Sequence, residues 1–152
     1  MKVQDVKRGD MTDGHPDFNV ISGKYKRAGH VPGLMLPDLG GDGKPVFNPS
    51  RRYNQHGNDP IVSAATFDQW YNTTDGVNLE IPVTVRFGPK ADAEGGGNFL
   101  PINDQGFGNQ GLTSGGKGAN YSFTTEFENE FTYVPGQHLG FTGDDHVWVY
   151  IN

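Results

Sequence analysis

The chain has 152 residues, 34% hydrophobic and 12% aromatic, a size that suits one domain over residues 1–152 with a single sizeable core. Its formal net charge of −6 argues against nucleic acid as a partner, because Lys24, Lys26, Arg27 and the Arg51-Arg52 pair are ordinary solvated loop charges. Cysteine is absent, which excludes disulfides, a thiol nucleophile and thiolate metal sites, and no apolar run reaches the length of a membrane span.

Met1 is followed by Lys2-Val3-Gln4-Asp5 without an apolar stretch, so no signal peptide is visible, and the domain is expected to be excerpted from a longer precursor or already processed. Val3 to Lys7 reads as a short strand. Gly14-His15-Pro16-Asp17-Phe18 reads as a turn leading to a buried anchor at Phe18. Gly33 to Phe47 alternates apolar anchors with Gly, Asp and Pro, which suits a loop pinned at intervals, with Asp42 as a turn aspartate. Arg51 to Asp59 is polar throughout and expected to be exposed.

One short helix is predicted near residues 64–72. Ser63 or Ala64 opens it, Phe67, Trp70 and Tyr71 fall on one face at i, i+3 and i+4, and Asn72-Thr73-Thr74-Asp75-Gly76 supplies the stop. From Asn78 the period changes to two. Leu79, Ile81, Val83, Val85 and Phe87 define the buried face of a strand, and Pro82 directs that strand to an edge or a bulge. Gly88–Gly97 and Gln105–Gly118 read as mobile glycine-rich loops, with Phe99-Leu100-Pro101-Ile102 a short buried segment between them.

The strongest periodic signal is Tyr121–Tyr133. Tyr121, Phe123, Phe127, Phe131 and Tyr133 share one parity, whereas Glu126, Glu128 and Glu130 share the other. This predicts a long antiparallel strand with an aromatic inner face and an acidic, solvated outer face. After Pro135-Gly136, Leu139 and Phe141 open a second strand. Val147-Trp148-Val149-Tyr150-Ile151 is apolar on both faces, as a central strand would be. The fold class implied is mainly β: an antiparallel β-sandwich with long Gly/Pro-rich loops and one short helix.

Asp144 and Asp145 are adjacent between two apolar runs. In a regular strand their side chains would point to opposite faces, so converging on one ion needs an unusual backbone, such as a cis peptide. A hard divalent cation can offset both that strain and the repulsion between the carboxylates, and Ca²⁺ tolerates irregular geometry best. A two-residue hairpin turn explains the same pair, and on spacing alone it is the stronger reading.

The blocks His15–Phe18 (HPDF), Leu39–Phe47 (LGGDGKPVF), Phe67–Asn78 (FDQWY with DGVN), Phe99–Asp104 (FLPIND), Tyr121–Tyr133 (YSFTTEFENEFTY) and Phe141–Asn152 (FTGDDHVWVYIN) occur in the order typical of fibro-slime domains. The chain resembles that family over nearly its whole length. The family is similar to the protective-antigen-like β-sandwich of adhesins, glycosidase accessory modules and matrix proteins. In that superfamily a cis-linked aspartate pair holds Ca²⁺, and the ion coordinates sugar hydroxyls. The resemblance therefore implies Asp144 and Asp145 as metal ligands, and makes the metal reading the favoured one. Asp104, in a glycine-rich loop, is the third candidate. Two departures stand out: His146 replaces a common third acidic residue, and the chain ends at Asn152, before the further strands and ligand-binding loop of related domains. A fragment, a split domain completed by another chain, and a divergent form all fit that ending.

The expected role is an extracellular or cell-surface, calcium-dependent module that binds glycans or cell-surface polysaccharide. The alternative is a structural subunit of an extracellular filament or matrix, whose sheet a second chain or copy completes by strand pairing. Trp148 and Tyr150 could stack on sugars if they faced outward, but core packing is the favoured reading for both. No enzyme is expected, since the acidic stripe lacks an opposed carboxylate across a cleft and His15, His30, His56, His138 and His146 show no zinc spacing.

Overall fold

The computed structural model describes residues 1–8, 14–18, 33–51, 61–84, 100–138 and 147–151. The architecture is mainly β, with small antiparallel sheets and one short helix. Strand β1 (Lys2–Val6) lies at the centre of a three-stranded sheet, between β4 (Asn78–Pro82) and β7 (Phe123–Glu126). Gln4 is the register mark: it stands opposite Glu80 on one side and Thr124 on the other. Two hairpins complete the described sheets, β2 (Met35–Leu39) with β3 (Pro45–Phe47), and the two-residue strands β5 (Thr113–Ser114) and β6 (Lys117–Gly118).

Both faces of β1 are covered. Val3 and Asp5 point to one face and Gln4 and Val6 to the other, yet all four are buried. The Asp5 face meets the 100–112 segment, where the backbone N–H of Phe107 donates to Asp5 Oδ2 at 2.7 Å. The Gln4 face meets the chain leaving the helix, where Gln4 Nε2 donates to Thr73 Oγ1 at 3.0 Å.

The helix α1 (Ala64–Asp68) begins at Ser63, in a reciprocal capping arrangement with Thr66. Ser63 Oγ accepts from the Thr66 N–H at 3.1 Å, and Thr66 Oγ1 accepts from the Ser63 N–H at 3.0 Å. Phe67 and Tyr71 project into the core formed with Leu34, Met35 and Ile61, and Phe47, Trp70, Trp148 and Tyr150 pack around it. The rings form a continuous series: Phe47 to Phe67 at 5.5 Å, Phe67 to Trp70 at 5.1 Å and Trp70 to Phe18 at 5.4 Å between centroids.

Several expectations are met. The first strand, a short helix opening after Ser63, the edge position among the described residues of the strand containing Pro82, and the burial of Ile102 all stand as the sequence implied, but the helix ends at Asp68, so Trp70 and Tyr71 join Phe67 from the turn that follows it. Others need correction. The 33–47 segment is a hairpin, not a pinned loop; Gly43, at φ 75°, serves its turn, and Asp42 Oδ1 accepts from the Lys44 N–H at 3.0 Å. The buried anchor of the HPDF block is His15, fully excluded from solvent, whereas Phe18 is half-buried. In β4 it is Asn78 that is buried while Leu79 is exposed, and the strand ends at Pro82; Val85 and Phe87 lie outside the described residues. The 105–118 segment is a run of tethered turns ending in the β5–β6 hairpin, not a free loop.

The largest correction concerns Tyr121–Tyr133. Only Phe123–Glu126 is strand, and Phe131 and Tyr133 are 59% and 65% exposed. Buried Ser122 and half-buried Thr124 and Glu126 belong to the parity assigned outward. Glu126 is not part of a solvated stripe: it accepts from Lys44 Nζ at 2.7 and 2.9 Å, tying β7 to the β2–β3 hairpin. In β7 Phe123, Thr124 and Glu126 are all half-buried and Thr125 is exposed, so neither parity is the inner face and the aromatic parity misleads. Val147–Ile151 is likewise no strand among the described residues. Trp148 and Tyr150 pack inward, Tyr150 donating to the Leu36 carbonyl at 3.3 Å, while Val147, Val149 and Ile151 are exposed.

Candidate functional site

Two buried polar joints hold the irregular segments to the sheet. At the first, Asp5, next to last in β1, has no solvent exposure. Its Oδ2 accepts from the Phe107 N–H, and its Oδ1 accepts from Asn120 Nδ2 at 2.9 Å. Asn120, also fully buried, accepts at Oδ1 from the Ser122 N–H at 2.8 Å, while its own N–H donates to Asn103 Oδ1 at 2.8 Å. Burial pushes the Asp5 carboxyl above its ordinary value, and the two hydrogen bonds oppose that rise. Gln110, at φ 49°, acts beside it as a surrogate strand: its Nε2 donates to the Val6 carbonyl at 2.9 Å and its Oε1 accepts from the Arg8 N–H. Gly106 passes so close to Asp5 that a Cβ there would strike Oδ2.

At the second joint, His15 and Asp17 clamp the start of α1. His15 donates from Nε2 to the Thr66 carbonyl at 2.9 Å and accepts at Nδ1 from the Asp17 N–H at 3.2 Å, which fixes the neutral imidazole in one tautomer. Asp17 Oδ1 accepts from the Val62 N–H at 2.9 Å and from Thr66 Oγ1 at 3.1 Å; its Oδ2 accepts from Trp70 Nε1 at 3.0 Å. Burial moves both groups toward neutrality, the imidazole downward and the carboxyl upward, against their mutual attraction.

Of the predicted metal ligands, Asp144 and Asp145 lie outside the described residues, as does His146. Asp104 lies in the 100–111 segment that Asp5 anchors, at φ 61°. It is exposed, and its carboxylate is engaged locally: Oδ1 accepts from Asn109 Nδ2 at 2.6 Å, and the Asp104 N–H donates to Asn109 Oδ1 at 3.0 Å. Among the described residues no group of three His, Cys, Asp or Glu side chains is arranged to hold a metal ion, and no helix is long and apolar enough to cross a membrane. The sequence reading missed Asp5, Asn120 and the structural use of His15 and Asp17. A lone aspartate within an apolar-flanked strand (Val3-Gln4-Asp5-Val6) is the one signal that could have marked the first joint.

The chain is 33% identical to psiD of Dictyostelium discoideum over 131 residues, 82% of this chain and 26% of psiD. It is 30% identical to psiC over 149 residues and 31% identical to psiQ over 149 residues, both from the same organism. The chain is a distant homologue of part of the psi proteins. It spans about a quarter of the length of psiD and psiC, and 14% of psiQ. No family model matches the chain, and no solved structure matches it. The psi similarity runs over 90% of the chain for psiQ and 91% for psiC, so it is a likeness of the whole unit rather than of one motif.

Proposed function

We propose that the chain is an extracellular, calcium-dependent carbohydrate-binding and adhesion module, which binds its ligand without turning it over. The observation that carries this reading is that the blocks resembling fibro-slime domains coincide with joints of the fold. The HPDF block clamps the helix of the FDQWY block through Asp17 and Trp70. The LGGDGKPVF block is the turn and second strand of the β2–β3 hairpin, and FLPIND leads into the segment that Asp5 anchors. Blocks that build the fold support carrying over the block that contains Asp144 and Asp145.

Their carboxylates are hard oxygen donors, the chemistry Ca²⁺ prefers, and Asp104 would join them by giving up Asn109. A bound ion would supply coordination positions for vicinal sugar hydroxyls. A binding role rather than catalysis also agrees with the use of the two described carboxylates that burial perturbs, since Asp5 and Asp17 are both consumed by hydrogen bonds of the framework.

The test is calcium titration by calorimetry with parallel melting curves, on the parent chain and on Asp144→Ala/Asp145→Ala. Saturation at about 100 times Kd stabilises the parent by about 2.7 kcal/mol, a melting-temperature rise of roughly 5–10 °C, and leaves the double variant unmoved. Asp104→Ala reduces affinity if that residue is the third ligand. A folded parent that neither binds calcium nor is stabilised by it overturns the proposal.

One observation favours a second reading, that of a matrix or filament subunit completed by another chain. Among the described residues β7 is an edge strand, and beyond Glu126 the chain continues with Phe131, Tyr133 and Val134 exposed. Concentration-dependent assembly in sedimentation velocity, indifferent to calcium and sugars, is the outcome that would favour it.

A further inference from the structure

The sequence holds two Asn-Xaa-Ser/Thr triplets that the proposed function does not use, Asn72-Thr73-Thr74 and Asn120-Tyr121-Ser122; a third candidate, Asn48-Pro49-Ser50, is blocked by its proline. The fold treats the two differently. We infer that Asn72 is an acceptor for an N-linked glycan and that Asn120 is not. The inference rests on the proposed extracellular location, since this modification belongs to the secretory route.

Asn72 lies in the turn that leaves α1, with Thr73, Asp75 and Gly76 around it exposed. Its side chain reaches outward, Nδ2 donating to Asp68 Oδ1 at 2.9 Å on the exposed side of the helix end. The structural contact of Asn72 is made by its backbone, whose carbonyl accepts from buried Asn78 Nδ2 at 2.9 Å. Thr74, whose hydroxyl the modifying enzyme must recognise, likewise holds the fold through its backbone: its N–H donates to Asn78 Oδ1 at 2.6 Å and its carbonyl accepts from the Val77 N–H at 3.0 Å.

In the reaction the amide nitrogen forms a bond to the anomeric carbon of a lipid-diphosphate-linked oligosaccharide. The bond from that carbon to the diphosphate oxygen breaks, the lipid diphosphate leaves, and the nitrogen gives up one proton. The secondary amide that results keeps one N–H, enough to preserve the bond to Asp68. The turn therefore accepts the sugar without losing a structural contact.

Asn120 is the opposite case. It is fully buried, its Nδ2 donates to buried Asp5 and its Oδ1 holds the Ser122 N–H. A sugar on that nitrogen would have to occupy the interior beside β1, so a chain modified there before folding could not close the joint.

The test is secretion of the full chain from a eukaryotic cell behind a heterologous leader. Occupied asparagines are then mapped by peptide-N-glycosidase conversion to aspartate and tandem mass spectrometry. The parent, Asn72→Gln, and a control Phe131→Thr, which completes a triplet at Asn129 beside an exposed side chain, are compared. The expected result is full occupancy of Asn72 in the parent, none at Asn120, loss of the glycan in Asn72→Gln and a second glycan in the control. An empty Asn72 in a secreted chain whose control site is filled overturns the inference, as does a glycan on Asn120 in monomeric, folded protein. The leader delivers the chain whatever its native location, so failure of the extracellular reading, seen as retention of the native protein inside its own cells, is a separate result.

Discussion

At the scale of single residues, Asp5 shows why a charged side chain is tolerated within a central strand. The site presents two donors, the Phe107 N–H and Asn120 Nδ2, and Asn120 cannot turn round because its Oδ1 is held by the Ser122 N–H. Only a side chain that accepts on both sides fits, and among residues of this size that is an ionised aspartate. Asp5→Asn preserves shape but sets an amide donor against a donor. It is expected to cost about 1–3 kcal/mol, measured as a shift of the denaturant midpoint at neutral pH. The same variant should raise proteolysis within the 100–111 segment, whose anchor it weakens. An unchanged midpoint would mean that the joint contributes nothing to holding that segment. Asn78 is used in a comparable way: its Oδ1 accepts from the Thr74 N–H and its Nδ2 donates to the carbonyls of Gln69 and Asn72, so one side chain gathers the exit of the helix.

At the scale of elements, α1 has five residues, far too few for a helix to persist by itself. Its start is held by the capping pair and by Asp17, which reaches from a distant segment to Val62, Thr66 and Trp70. Asp17→Asn keeps one acceptor where three donors converge. The expected loss is about 2–3 kcal/mol, a melting-temperature drop of roughly 5–10 °C. A change in tryptophan emission should accompany it, because Trp70 Nε1 loses its acceptor; a variant that melts like the parent with unaltered emission would refute this account of the helix. The β7 strand illustrates the limit of periodicity. Its length and inward parity are misread from spacing because the helix layer covers one face of the sheet and the 100–112 segment covers the other, so Glu126 finds Lys44 where solvent was expected.

At the scale of the whole molecule, the buried titratable groups give the stability a pH dependence of two signs. His15 is held below its ordinary value of 6.5, so between that value and its depressed native pKa the unfolded chain binds more protons, and stability falls as pH falls. Asp5 and Asp17 are held above 3.8, so between their raised native values and 3.8 the native state binds more protons, and acidification there adds stability. Denaturant midpoints measured from neutral to acid pH should therefore decline first, and then lose less, or recover, than ordinary carboxylates would permit. His15→Gln removes the first decline and Asp5→Asn part of the later gain. A curve unchanged by both substitutions would show that neither group is perturbed in the folded chain.

What the sequence determined by itself is what local chemistry decides. It yielded the mainly β class, a short helix opening after Ser63, the opening strand and the turn aspartate Asp42, because capping, alternation and turn preference act over a few residues. It also supplied the ordered sequence blocks, but not the reason for them. Only the tertiary structure decided that the HPDF block exists to hold the helix, and that Asp5 binds a segment about a hundred residues away in sequence. It also decided that Glu126 would be half-buried against Lys44 while Phe131 and Tyr133 stand in solvent. Those outcomes depend on which segments meet across long loops, where a buried polar group needs a particular partner, and no spacing along the chain encodes that partner.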